Sequence, residues 1–239
     1  MNTMSRDIIV MTSGAFTAPY LALIPQLELA TKKKIVTAAT TMGSGPDYIP
    51  SRLERGEPVD VVIIADAALV KLIEDGKILA DSHTPLARSA IGMAVRAGAP
   101  KPDISSAAAL KRTLLEAKSV AYSASVSGRY FSTELIQGLG IADEMACKSR
   151  RIEGERVGAV VARGEAEIGF QQISELLPVS GIAYVGPLPP EVQRVSVFSA
   201  GIAAGTRDAD AARALIGFLA SPAAVHAITQ SGLEPIGNR

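Results

Sequence analysis

The sequence predicts an α/β protein in two lobes, and three observations carry that prediction. Short β-branched and aliphatic runs alternate with stretches of helical spacing, the mark of largely parallel strands joined by helices. The alternation occurs twice, on either side of a composition change at Asp81-Ser82-His83-Thr84-Pro85. A late return through Pro187, Pro189 and Pro190 then leads into two closing helices. The chain is therefore expected to cross between lobes twice, near residues 82–90 and 187–200. One lobe comprises residues 1–83 and 197–239, the other residues 84–196, with a ligand cleft between them.

The elements follow from local spacing. Ile8-Ile9-Val10-Met11 reads as a buried strand, with a turn at Ser13-Gly14 and a helix to about Ala30. Ile35 to Ala39 is the second strand. A short helix from Pro50 to Arg55 is stopped by Gly56 and Pro58. Asp60 to Ile64 is the third strand, and Ala67 to Asp75 is a helix ended by Gly76. In the second half, Ala90 to Val95, Ser119 to Tyr122 and Glu167 to Phe170 read as strands. Ser106 to Ala117, Arg129 to Leu139 and Gly158 to Arg163 read as helices. Ile182 to Val185 and Val195 to Phe198 follow as strands. The closing helices are Ala209 to Leu219 and Pro222 to Gln230, split at Ser221-Pro222.

Composition narrows the function. With 239 residues, 48% hydrophobic and 20% charged, the chain can bury a large core. Lys and Arg total 24 against 24 Asp and Glu, and aromatics are 4% with no Trp. Neither a basic surface nor a stacking platform for nucleic acid is supplied. One cysteine, Cys147, and two histidines, His83 and His226, exclude an internal disulfide, a thiolate cluster and a histidine-rich metal site. No metal or cofactor is expected, and each histidine reads as a surface or capping residue. Residues 1–7 carry no apolar stretch of a signal peptide, and the run Val59 to Val70 is broken by Asp60 and Asp66. As written, the sequence predicts a cytoplasmic protein, or a periplasmic one from which an export signal has been removed.

Three strand-to-helix junctions share one chemistry: Thr12 to Thr17, Thr40 to Gly45, and Ser123 to Gly128. All are rich in hydroxyls and glycine, and the helix that follows each offers unpaired main-chain N–H groups and a favourable dipole for an anion. Converging, they make an anion site, although each alone is also a plain helix cap. Gly43-Ser44-Gly45 with Asp66 imitates a dinucleotide fingerprint, but Tyr48 replaces the third glycine and Asp47 sits where pyrophosphate would lie. Cations available to a carboxylate are Arg52, Arg88, Arg96 and Arg129, the last at a helix start. Proton carriers are Asp66, which could equally cap its helix, and Glu175, with Tyr122 and Tyr130 as relays. Asp60 opens its strand and is expected to point away from the site.

Three segments then resemble the periplasmic molybdate-binding proteins: Arg52 to Val61 with its Gly56-Glu57-Pro58-Val59-Asp60-Val61, Ser127-Gly128-Arg129-Tyr130, and Val160 to Gly169. The resemblance runs from about Ile8 to Leu233 and implies the two-lobed type II periplasmic-binding-protein fold, an anion ligand and, for a receptor, an ABC permease partner. The three junctions and this resemblance together give as candidate ligand-binding residues Ser13, Gly14, Ala15, Phe16, Thr41, Ser44, Ser125, Ser127, Gly128, Arg129 and Gln172, with Ser44 or Thr41 as the counterpart of the family's second serine. Two family donors are replaced: a serine by Ala15 and a tyrosine by Gln172. An amide donates and accepts, which suits an organic acid better than a tetrahedral oxyanion. The segment Gly169 to Pro178 is similar to the aconitate isomerase branch of this family, which implies an allylic proton shift in an unsaturated polycarboxylate; among the proton carriers named above, Asp66 and Glu175 are the candidate catalytic residues. The alternative is an ABC transporter substrate-binding protein for molybdate, tungstate or another small anion.

Overall fold

The computed structural model describes residues 7–41 and 45–236. The chain divides into two compact units, Met1–Arg88 with Val197–Arg239, and Ser89–Ser196. It passes from one to the other inside two long strands.

The first unit opens with β1 (Ile8–Thr12), α1 (Gly14–Thr31), β2 (Ile35–Ala38), α2 (Ile49–Glu54), β3 (Val61–Ala65) and α3 (Asp66–Glu74). β1 pairs in parallel with both β2 and β3. β3 is buried along its whole length, and its side chains alternate between two cores. Val61 and Ile63 pack with Phe16, Tyr20 and Leu27 of α1, while Val62 and Ile64 pack with Leu53, Leu69 and Leu72. α1 ends at Lys32, whose φ of 54° is a left-handed cap.

β4 (Thr84–Arg96) carries the chain into the second unit. There follow α4 (Ala107–Glu116), β5 (Val120–Ser123), α5 (Val126–Tyr130), α6 (Ile136–Gly138), α7 (Ala142–Ala146), β6 (Ser149–Ile152), α8 (Val157–Ala162), β7 (Ile168–Gln172), α9 (Ile173–Leu176) and β8 (Ile182–Pro187). β5 runs parallel to β6 and β7, and β4 is antiparallel to β7 and β8. Phe131 stacks between Tyr122 and Phe170, with centroids 5.1 Å apart on each side. Gly169 lets α8 lie directly on the sheet, since a Cβ there would stand 2.7 Å from side-chain atoms of both Val157 and Val161.

β9 (Val195–Ile202) returns to the first unit and runs antiparallel beside β3. α10 (Ala209–Leu219) and α11 (Val225–Gln230) close the core over α1, and β10 (Glu234–Pro235) pairs with β4 at Ala87 and Arg88. Among the described residues no single helix is long and apolar enough to cross a membrane.

Several elements depart from the sequence reading. The helix expected from Arg129 begins at Val126, because Ser125 takes the extended N-cap conformation and the small residues after it form the first turn. It continues through a π turn over Phe131–Leu135, where the stacked Phe131 sits. β4 is 13 residues long rather than the short run from Ala90, since partners in both units extend its ladder. The short α7, α9 and β6 carry too few residues for a periodic signal.

Candidate functional site

Because β1, β2 and β3 are parallel, their C-terminal ends share one edge of the first sheet, which carries Ser13, Thr40, Thr41 and Asp66. Ser13 is the N-cap of the 18-residue α1, yet its side chain makes no capping bond, and its buried Oγ has no partner among the described residues. Thr40 Oγ1 donates to the Thr12 carbonyl at 2.7 Å and ties the loop after β2 to β1. Thr41 is half-buried, and its N–H closes that loop on the Asp47 carbonyl at 3.0 Å. Gly14 opens α1. Ala15 and Phe16 turn inward, and Phe16 is fully buried in the core with its N–H on the Ser13 carbonyl at 3.2 Å. The side chain of Phe16 is thus a core group, and only the main chain of this segment faces the edge. Ser44 and the Gly43-Ser44 pair of the false fingerprint lie outside the described residues.

Asp66 is the first residue of α3 and does not cap it; Ala65 holds the N-cap position without a side-chain bond. Instead its Oδ1 accepts from Ser199 Oγ at 2.5 Å and lies 2.7 Å from Nε2 of His83. Burial raises the Asp66 pKa, but the Ser199 hydroxyl and the His83 imidazole outweigh it and hold the carboxyl below its ordinary value. His83, read from sequence as a surface or capping residue, is therefore paired with the candidate carboxylate. Asp60 lies at the opposite end of β3, buried, accepting from the Ile9 N–H at 2.8 Å and from Thr206 Oγ1 at 2.7 Å. It fastens strands and takes no part in the edge.

In the second unit the parallel β5, β6 and β7 likewise end on one edge, at Ser123, Ile152 and Gln172. The hydroxyls of Ser123, Ser125 and Ser127 form a closed triangle with sides of 2.7, 3.0 and 3.3 Å. Each can act as donor or acceptor, so rotating one hydroxyl presents a proton to a ligand without breaking the other links. Gly128 is buried against the backbone of Ser123 and serves packing. Arg129 is exposed and has no ion-pair partner among the described residues. By contrast Arg52 is held by Glu57 at 2.7 Å and by the Ala39 carbonyl, and Arg88 by Glu234 at 3.2 Å. Arg96 lies at the far end of β4, opposite the start of β7, away from the edge.

Gln172 is 1% exposed; its Oε1 accepts from Ser89 Oγ at 2.7 Å, which leaves a buried Nε2 donor without a partner among the described residues. Such an orphaned donor is costly unless something accepts from it. Glu175, on α9, is 2% exposed and lies in the interior of its unit. Burial pushes its pKa up to about 7, against the lowering pull of the Arg156 charge and a bond to Gln171. Tyr130 is no free relay: its hydroxyl donates to the Val192 carbonyl at 2.7 Å, under the Arg194 guanidinium. Tyr122 stacks on Phe131. Sequence reasoning missed His83, Ser89 and Ser199 as partners, because residues from distant segments meet only through the sheet pairings.

Two α/β units, each gathering small residues, hydroxyls and main-chain donors at the C-terminal ends of parallel strands, define a solute-binding protein of the type II periplasmic fold. The chain belongs to the bacterial extracellular solute-binding protein family, whose description matches residues 8–234. The solved structures agree on the fold. The Azotobacter vinelandii periplasmic molybdate-binding protein is 20% identical with a TM-score of 0.72, over 95% of this chain and 98% of that one. The sulfate-binding protein SubI from Mycobacterium tuberculosis is 17% identical with a TM-score of 0.76, over 96% and 87%. A nearer relative in sequence, from a Pseudomonas species, is 46% identical over 95% of this chain and 87% of its own length, and is named aconitate isomerase.

Proposed function

We propose that this protein interconverts cis- and trans-aconitate by an allylic proton shift. The observation that carries the reading is the 46% identity to the Pseudomonas aconitate isomerase across 95% of the chain. The chemistry of the two edges supports it. A tricarboxylate needs several donors; the edge of the first unit offers the α1 N-terminus with Ser13, and the edge of the second, taken by itself, offers the Ser123-Ser125-Ser127 hydroxyls, the Gln172 amide and the Arg129 guanidinium. Removing a methylene proton next to a carboxylate leaves a delocalised anion, and such donors stabilise it as charge develops. The proton is assigned to the edge that carries Asp66, which stands at a strand end with its side chain 34% exposed, whereas Glu175 is a buried residue of α9.

A second reading, a receptor that captures a small anion for an ABC permease, is supported by the family itself. Incubating the purified protein with trans-aconitate and following its ultraviolet absorbance, with the isomers separated by chromatography, decides between them. Conversion towards one mixture from either isomer is expected. No conversion, with molybdate raising the melting temperature, supports the receptor instead.

Arg129→Ala is expected to weaken trans-aconitate binding by about 2 kcal/mol, roughly 30-fold, through loss of an unshared cation facing a carboxylate. Isothermal titration calorimetry checks this, and an unchanged affinity removes Arg129 from the site.

A further inference from the structure

The environment of Asp66 is not that of a structural carboxylate. It caps no helix, and among the described residues no lysine or arginine pairs with it. Its Oδ1 is instead fixed by two groups from different elements, Ser199 on β9 and His83 just before β4. Ser199 is fully buried and lies opposite Ile64 in the β3–β9 ladder, so its hydroxyl is set rigidly beneath the carboxylate. The side chains of His83 and Asp66 are about equally exposed, at 32% and 34%. The buried hydroxyl thus lies beneath a carboxylate and an imidazole that both reach the surface.

A carboxylate held to one nitrogen of an imidazole fixes the ring and leaves the other nitrogen to exchange protons. With Nε2–H donating to Asp66, Nδ1 carries the free lone pair, and the imidazolium formed on protonation keeps its counter-charge 2.7 Å away. Asp66 itself is a poor base, since it is already stabilised as the anion by two donors.

We propose that His83 is the proton carrier of the isomerisation, with Asp66 and Ser199 as the residues that position it; the inference rests on the aconitate reading above. His83 Nδ1 takes a proton from the substrate methylene. The C–H bonding pair becomes the new π bond to the central carbon, and the old π pair passes to the far carbon. That carbon takes the proton back from the imidazolium. One proton and one double bond have moved, nothing is oxidised or reduced, and the imidazole is regenerated.

The test compares wild type, His83→Gln, His83→Ala and Asp66→Asn with trans-aconitate, with and without added imidazole. Glutamine keeps a donor towards Asp66, which protects the fold if alanine does not. His83→Gln is expected to lose at least about 100-fold in kcat with KM and the ligand-induced melting shift little changed. His83→Ala is expected to recover turnover in proportion to added imidazole, which a merely structural role does not permit. Asp66→Asn loses kcat and gains nothing from imidazole. His83→Gln within about three-fold of wild type overturns the assignment and leaves the isomerase reading standing. A loss in both His83 variants that comes with lost binding and no rescue also overturns it. Wild-type protein that binds trans-aconitate without converting it overturns the reading, and this inference with it.

Discussion

Gly128→Ala is expected to destabilise the second unit by more than about 3 kcal/mol and to abolish ligand binding there. A Cβ at this position would stand 1.6 Å from the Ser123 carbonyl oxygen, 2.6 Å from its carbon and 2.9 Å from its nitrogen. Real Cβ atoms do not approach backbone so closely, and a carbonyl at the end of a central strand cannot swing aside as a flexible side chain can. Relief requires α5 to move off β5. That movement pulls Ser127 from Ser123, now 3.0 Å apart, and opens the hydroxyl triangle. It also carries Arg129 away, one residue further along the same helix. Urea unfolding followed by circular dichroism gives the stability change, and the ligand-induced melting shift reports binding. A variant with an unaltered midpoint and unaltered shift contradicts the packing described for α5.

Glu175→Gln is expected to stabilise the protein at pH 8 and to flatten its stability between pH 5 and 7. Burial holds the Glu175 pKa at about 7 in the folded protein, above the ordinary glutamate value of about 4.3. Between those values the native state keeps a proton that the unfolded chain gives up. Stability therefore falls as pH rises through this window and levels off above the folded pKa. The full penalty is about 4 kcal/mol, which glutamine removes because it is never charged. Its amide also remains capable of bonding to Gln171. Denaturant midpoints at pH 5, 6, 7 and 8 make the test: wild type is expected to lose stability over the series, and the variant to lose distinctly less. Parallel slopes contradict a neutral, buried Glu175.

Much of the fold was legible because its signals are local. The continuous apolar run Val61 to Ala65 announces a strand buried on both faces, and Asp208 caps α10 through the Ala211 N–H at 3.0 Å. The segments that carry the family resemblance turn out to consist largely of packing residues. Asp60 fastens β3 to Ile9 and Thr206, Gly169 admits α8 to the sheet, and Gly128 admits α5. They specify the architecture and say little about the solute.

The candidate site was only partly legible for the same reason. Ser13, Thr41, Ser125 and Ser127 sit at strand ends, where spacing along the chain already points to an edge. Phe16 sits there too, but the helical period turns its side chain into the core. The meeting of residues 66, 83 and 199 has no local signature. It depends on β9 pairing antiparallel with β3 after more than a hundred intervening residues, a long-range choice that no short window contains. The Ser89–Gln172 bond has the same origin, in the pairing of β4 with β7.

The central question is whether this solute-binding fold performs proton chemistry. Proton NMR of trans-aconitate with catalytic protein in heavy water gives the most direct answer. Catalysis predicts that cis-aconitate appears only when protein is present, with deuterium entering the carbon positions in each turnover where the carrier exchanges its proton with solvent before returning it. A substrate that binds, judged by a raised melting temperature, yet keeps every carbon-bound proton and its original geometry would contradict the account and leave a receptor in its place.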